Sequence, residues 1–168
     1  MALVHNQILR ALNAAHNHCL TVELGTQAAQ DFLIVNQCIV DVLESHHDME
    51  EERLFPALEK ILNQPGAMEG NRQEHQAFHD ELLEFHSYVF TTDSQGYHGA
   101  TIKAKTEALG PLVEEHLHNE VPLLYDLHVI DSEALTSLWK DAMNGYKPKF
   151  NLFRRFPFMV TCTDNTFL

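Results

Sequence analysis

Apolar residues recur every three or four positions along nearly the whole chain and never alternate over the length of a strand, so the pattern predicts helices alone and an all-α class. A first helix, from residue 2 to about 22, puts His5, Ile8, Leu9, Leu12, His16 and Cys19 on one face. The stretch Thr21 to Gln27 interrupts the period, with Gly25 placed to end the helix. A second helix runs from about 28 to 63. Its stripe is Phe32, Val35, Ile39, Val42, His46 and Glu50, and Asn63-Gln64-Pro65-Gly66 stops it. A third opens at Gly70 or Asn71 and buries His75, Phe78, His79, Leu82, Phe85 and Val89, ending in the polar stretch Thr91 to Gly99. The fourth begins near Ala100 and aligns Ile102, Thr106, Leu109, Val113, His116, Glu120, Leu123 and Leu127. Gly110-Pro111 is expected to kink or restart it, and Pro122 to remove a further backbone bond. Ser132 is placed to cap a short fifth helix through Trp139 to about Asn144. Four long helices with short connections predict an up-down-up-down four-helix bundle over residues 1–145, with residues 146–168 as a tail packing on it.

These stripes are not purely apolar. An unpaired buried carboxylate is so unfavourable that such groups are nearly always ion-paired or bound to metal, and residues four apart on a helix share a face. The buried stripes carry His5, His46, Glu50, His75, His79, His116 and Glu120, with His46/Glu50, His75/His79 and His116/Glu120 each four apart. Imidazoles and carboxylates without thiolates point to iron, with manganese or zinc next. His47 and Glu51 are also four apart, but they turn about 100° away from the stripe. That places His47 at the surface or, with His118, beside a ligand it would orient. His118 has Pro122 four residues on, which is no ligand, so His116 is preferred. In the first helix the rivals are His5 and His16. His5 lies nearly as far from the Gly25 turn as the second-helix pair does, while His16 falls short by roughly 20 Å at the α-helical rise. His16, His18, His86, His98 and His128 are left to the surface or to a supporting role. Phe32, Met49, Phe78, Phe85 and Tyr88 are available for an apolar wall around the site.

Composition narrows the remaining choices. A chain of 168 residues is one domain by length and buries a core without staples. A formal charge of −13, with only 11 lysines and arginines, excludes a nucleic-acid footprint. Cys19, Cys38 and Cys162 form neither a C-x-x-C clip nor an even disulfide set, which suits a reducing compartment. With no leader-like start and no apolar run of spanning length, the expectation is a soluble cytoplasmic protein without a membrane partner. The tail from Tyr146 to Leu168 mixes Lys147, Lys149, Arg154 and Arg155 with Phe150, Phe153, Phe156 and Phe158, and is expected to cover an apolar edge of the bundle.

His5-Asn6-Gln7-Ile8-Leu9-Arg10, the run His46 to Pro56, and His75-Gln76-Ala77-Phe78-His79 together resemble the hemerythrin-like (HHE) family over roughly residues 1 to 145. The fourth-helix pair His116-x-x-x-Glu120 is similar to that of many HHE-domain proteins and differs from the H-x-x-x-x-D of animal hemerythrins. The Glu52-Arg53-Leu54-Phe55-Pro56 turn and the Phe-Pro-Phe tail look like the fungal branch. The resemblance implies two iron ions joined by an oxo or hydroxo bridge. His75, His79 and His116 would hold one, His5 and His46 the other, and Glu50 and Glu120 would bridge both. It implies a protein that binds or activates dioxygen or peroxide. Either it is an oxygenase, oxidase or peroxidase on a small organic substrate, by analogy in fungal secondary metabolism, or it is a non-enzymatic oxygen, redox or iron sensor or store.

Overall fold

The computed structural model describes residues 2–145 and 151–163, and every regular element among them is helical. Helix α1 (Ala2–His18) runs into a 3₁₀ turn, Cys19–Thr21. The chain reverses through Gly25, whose φ of 77° is the left-handed conformation that glycine adopts without strain. The Gly25 N–H donates to the Ser94 carbonyl at 2.8 Å, and Tyr97 Oη donates to the Cys19 carbonyl at 2.6 Å. These bonds tie the two loops at this end of the bundle together.

Helix α2 (Gln27–Met49) starts at Thr26, whose hydroxyl accepts from the Ala29 N–H. It passes into a π-helical segment, Glu50–Leu54, and then α3, Phe55–Leu62. The predicted second helix is therefore one rod containing a change of phase. Proline is the physical reason: Pro56 has no N–H to give the Glu52 carbonyl, and the Phe55 N–H reaches back to Glu50 instead. The rod ends at Asn63, left-handed at φ 51°.

The predicted third helix is split. Helix α4 (Glu69–Ala77) and α5 (His79–Thr91) meet at Phe78, whose φ of −107° and ψ of 6° lie outside the helical region. Helix α6 (Gly99–Asp126) continues through Pro111 and Pro122 without a restart. Both prolines sit on its exposed face, where solvent satisfies the freed carbonyls. Helix α7 (Ser132–Gly145) is capped by Asp131 rather than Ser132, since Asp131 Oδ2 accepts from the Glu133 and Ala134 N–H groups. Helix α8 (Leu152–Cys162) lies against α1 and α2, with Phe158 buried and Phe153 and Phe156 exposed. Tyr146, Lys147, Lys149 and Phe150 of the predicted tail lie outside the described residues.

Two apolar clusters hold the bundle. The larger joins α1, α2, α5 and α6 around Leu12, Leu33, Leu43, Phe85 and Leu109. The smaller, around Met49, Phe55, Leu58, Met68 and Leu127, is covered by Leu135, Leu138 and Trp139 of α7. His5, His46, Glu50, His75, His116 and Glu120 belong to neither cluster, yet all are buried.

Candidate metal centre

Two groups of buried donors converge inside the bundle. The first is His5, His46, Glu50 and Glu120; the second is His47, Glu50, His75 and His116. Within each group, one ligand-type atom per residue lies within 4.8 Å of all the others. Helices α1, α2, α4 and α6 and the π-helical segment each supply part of the set, so it exists only when the bundle closes.

The internal distances show what these atoms are doing. His5 Nε2 is 2.9 Å from Glu120 Oε2, and His46 Nε2 is 3.2 Å from Glu50 Oε1. Neither contact is aligned as a hydrogen bond. Among the described residues, Nε2 of His5, His46 and His47, both oxygens of Glu50, and Glu120 Oε2 are buried with no hydrogen-bond partner. So many buried polar atoms left unpaired in one place would cost more than a domain tolerates unless something else satisfies them.

His75 and His116 sharpen the argument. His75 Nδ1 lies 2.7 Å from Glu51 Oε1, and His116 Nδ1 lies 3.0 Å from Glu74 Oε2. A carboxylate on each Nδ1 keeps the proton there and leaves a lone pair on each Nε2. Those two Nε2 atoms nonetheless stand 3.1 Å apart. Two lone pairs at that distance repel unless a cation lies between them. A single cation held by both Nε2 atoms would remove that repulsion. Glu74 is itself held, by the Asn119 side-chain amide at 2.8 Å.

Glu50 links the two groups. Its Oε1 faces His46 Nε2 at 3.2 Å and its Oε2 faces His75 Nε2 at 3.6 Å, one oxygen toward each group. Burial first, and the Glu120 carboxylate beside it second, push the Glu50 carboxyl well above the usual carboxylate range. Burial, reinforced by the neighbouring imidazoles, holds His46 and His47 well below the ordinary histidine value. Burial also lowers His75, although its bond to Glu51 opposes the shift. Neutral imidazoles are the form that ligates.

A search against family descriptions matches "Hemerythrin HHE cation binding domain" over residues 1–127. The chain belongs to this hemerythrin HHE family. A protein of Cryptosporiopsis sp. (strain 8999) named "Dimeric xanthone biosynthesis cluster protein R11" is 30% identical over 167 residues, covering 99% of this chain and 63% of that protein. The chain thus spans a little under two thirds of that relative's length. No solved structure matches it.

The HHE domain brings together His5, His46, Glu50, His75, His116 and Glu120 of the residues expected at the centre, and leaves one out. His79 is exposed and belongs to neither group. The break at Phe78 ends the helix that would have carried His75 and His79 on one face. His47, expected at the surface or beside a ligand, is buried and stands in the second group. Its ring packs at centroid distances of 4.2 Å from His75 and 4.9 Å from Phe78. The fold makes room for His47 by burying a face wide enough for both residue 46 and residue 47, just ahead of the π-helical segment. The visible signal was Pro56, which removes a backbone N–H donor six residues past Glu50. Glu51 and Glu74, the carboxylates behind His75 and His116, carried no periodic signal because they lie off the buried stripe.

His16, the rejected rival of His5, is at the other end of α1 near the Thr106 hydroxyl, at 3.4 Å. Of the residues offered for an apolar wall, Phe78 faces the centre. Phe32, Phe85 and Tyr88 pack in the larger cluster and Met49 in the smaller. Cys19, Cys38 and Cys162 take no part in either group. Among the described residues no helix is long and apolar enough to cross a membrane.

One side of the centre is open. A cleft of about 750 Å³ is lined by His47 and His75 of the second group together with Glu44, Asp48, Arg72 and His79. His5, His46 and Glu120 do not line it.

Proposed function

We propose that this HHE domain holds two non-haem iron ions, one in each donor group, and uses them to bind or activate dioxygen or peroxide. The observation that carries the reading is Glu50, a buried carboxylate presenting one oxygen to an imidazole of each group. Nitrogen and carboxylate donors without thiolate favour iron over a structural zinc. When bound, such a pair supplies one-electron steps and a Lewis-acidic position for a small oxidant.

The chain's own residues set the conditions for that chemistry. His75 and His116 are fixed in one tautomer by Glu51 and Glu74, so their donor atoms do not rotate away. His5, His46 and Glu120 keep the first ion away from solvent. The cleft beside His47 and His75 gives a small molecule a way to the second ion, which favours oxidation of a substrate over simple carriage. The name of the relative, a protein of a dimeric xanthone biosynthesis cluster, favours a place in fungal secondary metabolism for this chain as well.

The test is metal content together with the visible spectrum of the iron-loaded, anaerobically reduced protein before and after oxygen is admitted. Two irons per chain with a spectral change that decays, and that is not undone by vacuum, supports oxidation chemistry. Two irons with a change that reverses under vacuum makes the domain a carrier or sensor. Failure to hold iron overturns the reading.

A further inference from the structure

Helix α8 turns its charge inward and its aromatic groups outward, the reverse of an ordinary surface helix. Among its described residues the exposed ones are Phe153, Phe156, Pro157, Val160 and Thr161, and none of them is charged. Phe153 is 90% exposed, Phe156 70% and Val160 54%. At spacings of three and four residues they form one row along the helix. The two arginines point the other way. Arg154 donates to the Ile34 carbonyl at 3.4 Å and to Gln37 Oε1, while Arg155 donates to Ser45 Oγ at 3.0 Å. Together with the buried Phe158, and with Thr163 Oγ1, which accepts from Gln7 Nε2, they moor α8 on α1 and α2.

So moored, the row is held outward and does not fold back into the core. Single apolar side chains are ordinary on a surface, whereas a contiguous row of this kind marks a contact for another molecule. Where Arg154 reaches α2, Ile34 and Val35 are 37% and 43% exposed and widen the patch. With a whole aromatic side chain worth about 150–250 Å², the patch amounts to roughly 600 Å². Two such patches face to face bury roughly 1,200 Å², the lower end of what a specific protein interface buries. Charge decides between occupants. An anionic lipid surface is met by lysines and arginines flanking an apolar face, but among the described residues the arginines of α8 are committed to α2. A chain with a formal charge of −13 approaches a copy of itself with least repulsion through a face that carries no charge.

We infer that this outer face of α8, with Ile34 and Val35 beside it, is the interface through which two copies of the chain associate. The contact is isologous, the same patch serving on both copies. Phe156 lies between Phe153 and Val160, so a two-fold axis at Phe156 sets Phe153 of each copy against Val160 of the other and Phe156 against itself. An interface of this size is reversible, with a dissociation constant in the micromolar range. Each copy then presses the other's α8 onto α2 at Ser45, which lines the cleft, so the interface backs the cleft without entering it. The inference does not depend on what the donor groups hold.

The test is sedimentation velocity of the full-length chain over dilution from about 100 μM to about 1 μM. Wild type is expected to pass from dimer to monomer across that range. A Phe153→Ser/Phe156→Ser variant is expected to associate at least about tenfold more weakly, with unchanged helical circular dichroism because both side chains are exposed. A wild type that is monomeric throughout, or a folded variant that dimerises as wild type does, overturns the inference. Salt gives a second reading that needs no variant. Apolar burial is opposed here by like charge, so association should tighten as salt rises from about 0.01 M to about 1 M and the screening length falls from about 30 Å to about 3 Å. Association that weakens over that range overturns the inference. Under a mild oxidant Phe156→Cys should link two copies, and Leu20→Cys, at a position 59% exposed on the 3₁₀ turn, should not; equal linkage through both, or none through either, counts against the face. Monomeric wild type that sediments with phosphatidylserine vesicles would give the face to a lipid surface. A Phe167→Ser/Leu168→Ser variant that dimerises where wild type does not would give it to the chain's own end. Either result overturns the second copy as occupant.

Discussion

The two donor groups share Glu50 but are held in different ways. In the first, His5, His46 and Glu120 are enclosed by α1, α2 and α6, and none of them lines the cleft. In the second, His75 and His116 are braced from outside by Glu51 and Glu74, and the cleft runs up to His47 and His75. The first group is positioned by packing, so it is only as exact as the closure of the bundle. Hydrogen bonds to Glu51 and Glu74 position two imidazoles of the second. The difference teaches that the half of the shared site beside the cleft adds carboxylate supports to packing, one of them behind His75, which lines that cleft.

The largest effect is expected where the halves meet. Glu50→Ala removes the carboxylate common to both and should cost the protein both ions, as read by metal content per chain; retention of two would end the shared-carboxylate account. Next comes a change confined to the open half. His47→Ala should reduce the content to one ion per chain, while His79→Ala should keep two. The reverse pattern would restore the H-x-x-x-H pairing of His75 with His79. Smaller again is the loss of a brace. Glu51→Gln or Glu74→Gln should weaken the second ion about 10- to 100-fold in competition with a chelator and leave the first untouched.

The smallest effect is in the pH dependence of the metal-free chain. Burial holds His46 and His47 well below 6.5, so the unfolded chain takes up those protons first as pH falls. Stability present above about 6.5 is therefore lost as pH drops through that value toward the folded ones. Glu50 has the opposite sense. Its carboxyl is raised well above 4.5, so the stability it contributes is complete below about 4.5 and is lost as pH rises through its folded value. No single pH suits both kinds of group, and a bound cation relieves both. Thermal melts with a chelator should show a lower Tm at about pH 5.5 than at about pH 7 if the imidazoles dominate that interval. Added divalent cation should raise Tm more at the higher pH. A cation effect that does not vary with pH would contradict the assignment.

Much of this is legible in the sequence. Three-and-four periodicity located the helices and put His5, His46, Glu50, His75, His116 and Glu120 on buried faces, because a regular helix repeats its inward side predictably. Sequence pattern and structure part where the helix is not regular. Counting forward from His75 assumes an unbroken turn through Phe78, and counting around His46 assumes a buried stripe one residue wide. The break at Phe78 turns His79 outward, and the wider face ahead of the π-helical segment admits His47. Periodicity also could not show Glu51 and Glu74, whose role comes from the neighbour they reach across the bundle rather than from their place on their own helix.

The π-helical segment Glu50–Leu54 has one more consequence. It works as a phase shifter: the stretch before it is timed to the donor groups, and the stretch after it, Phe55–Leu62, is timed to the smaller apolar cluster under α7. Phe55 is the gear between the two timings, since it packs in that cluster and also stacks on the His75 ring at 5.7 Å. A change in the packing beneath α7 that moves Phe55 is therefore transmitted to the second donor group.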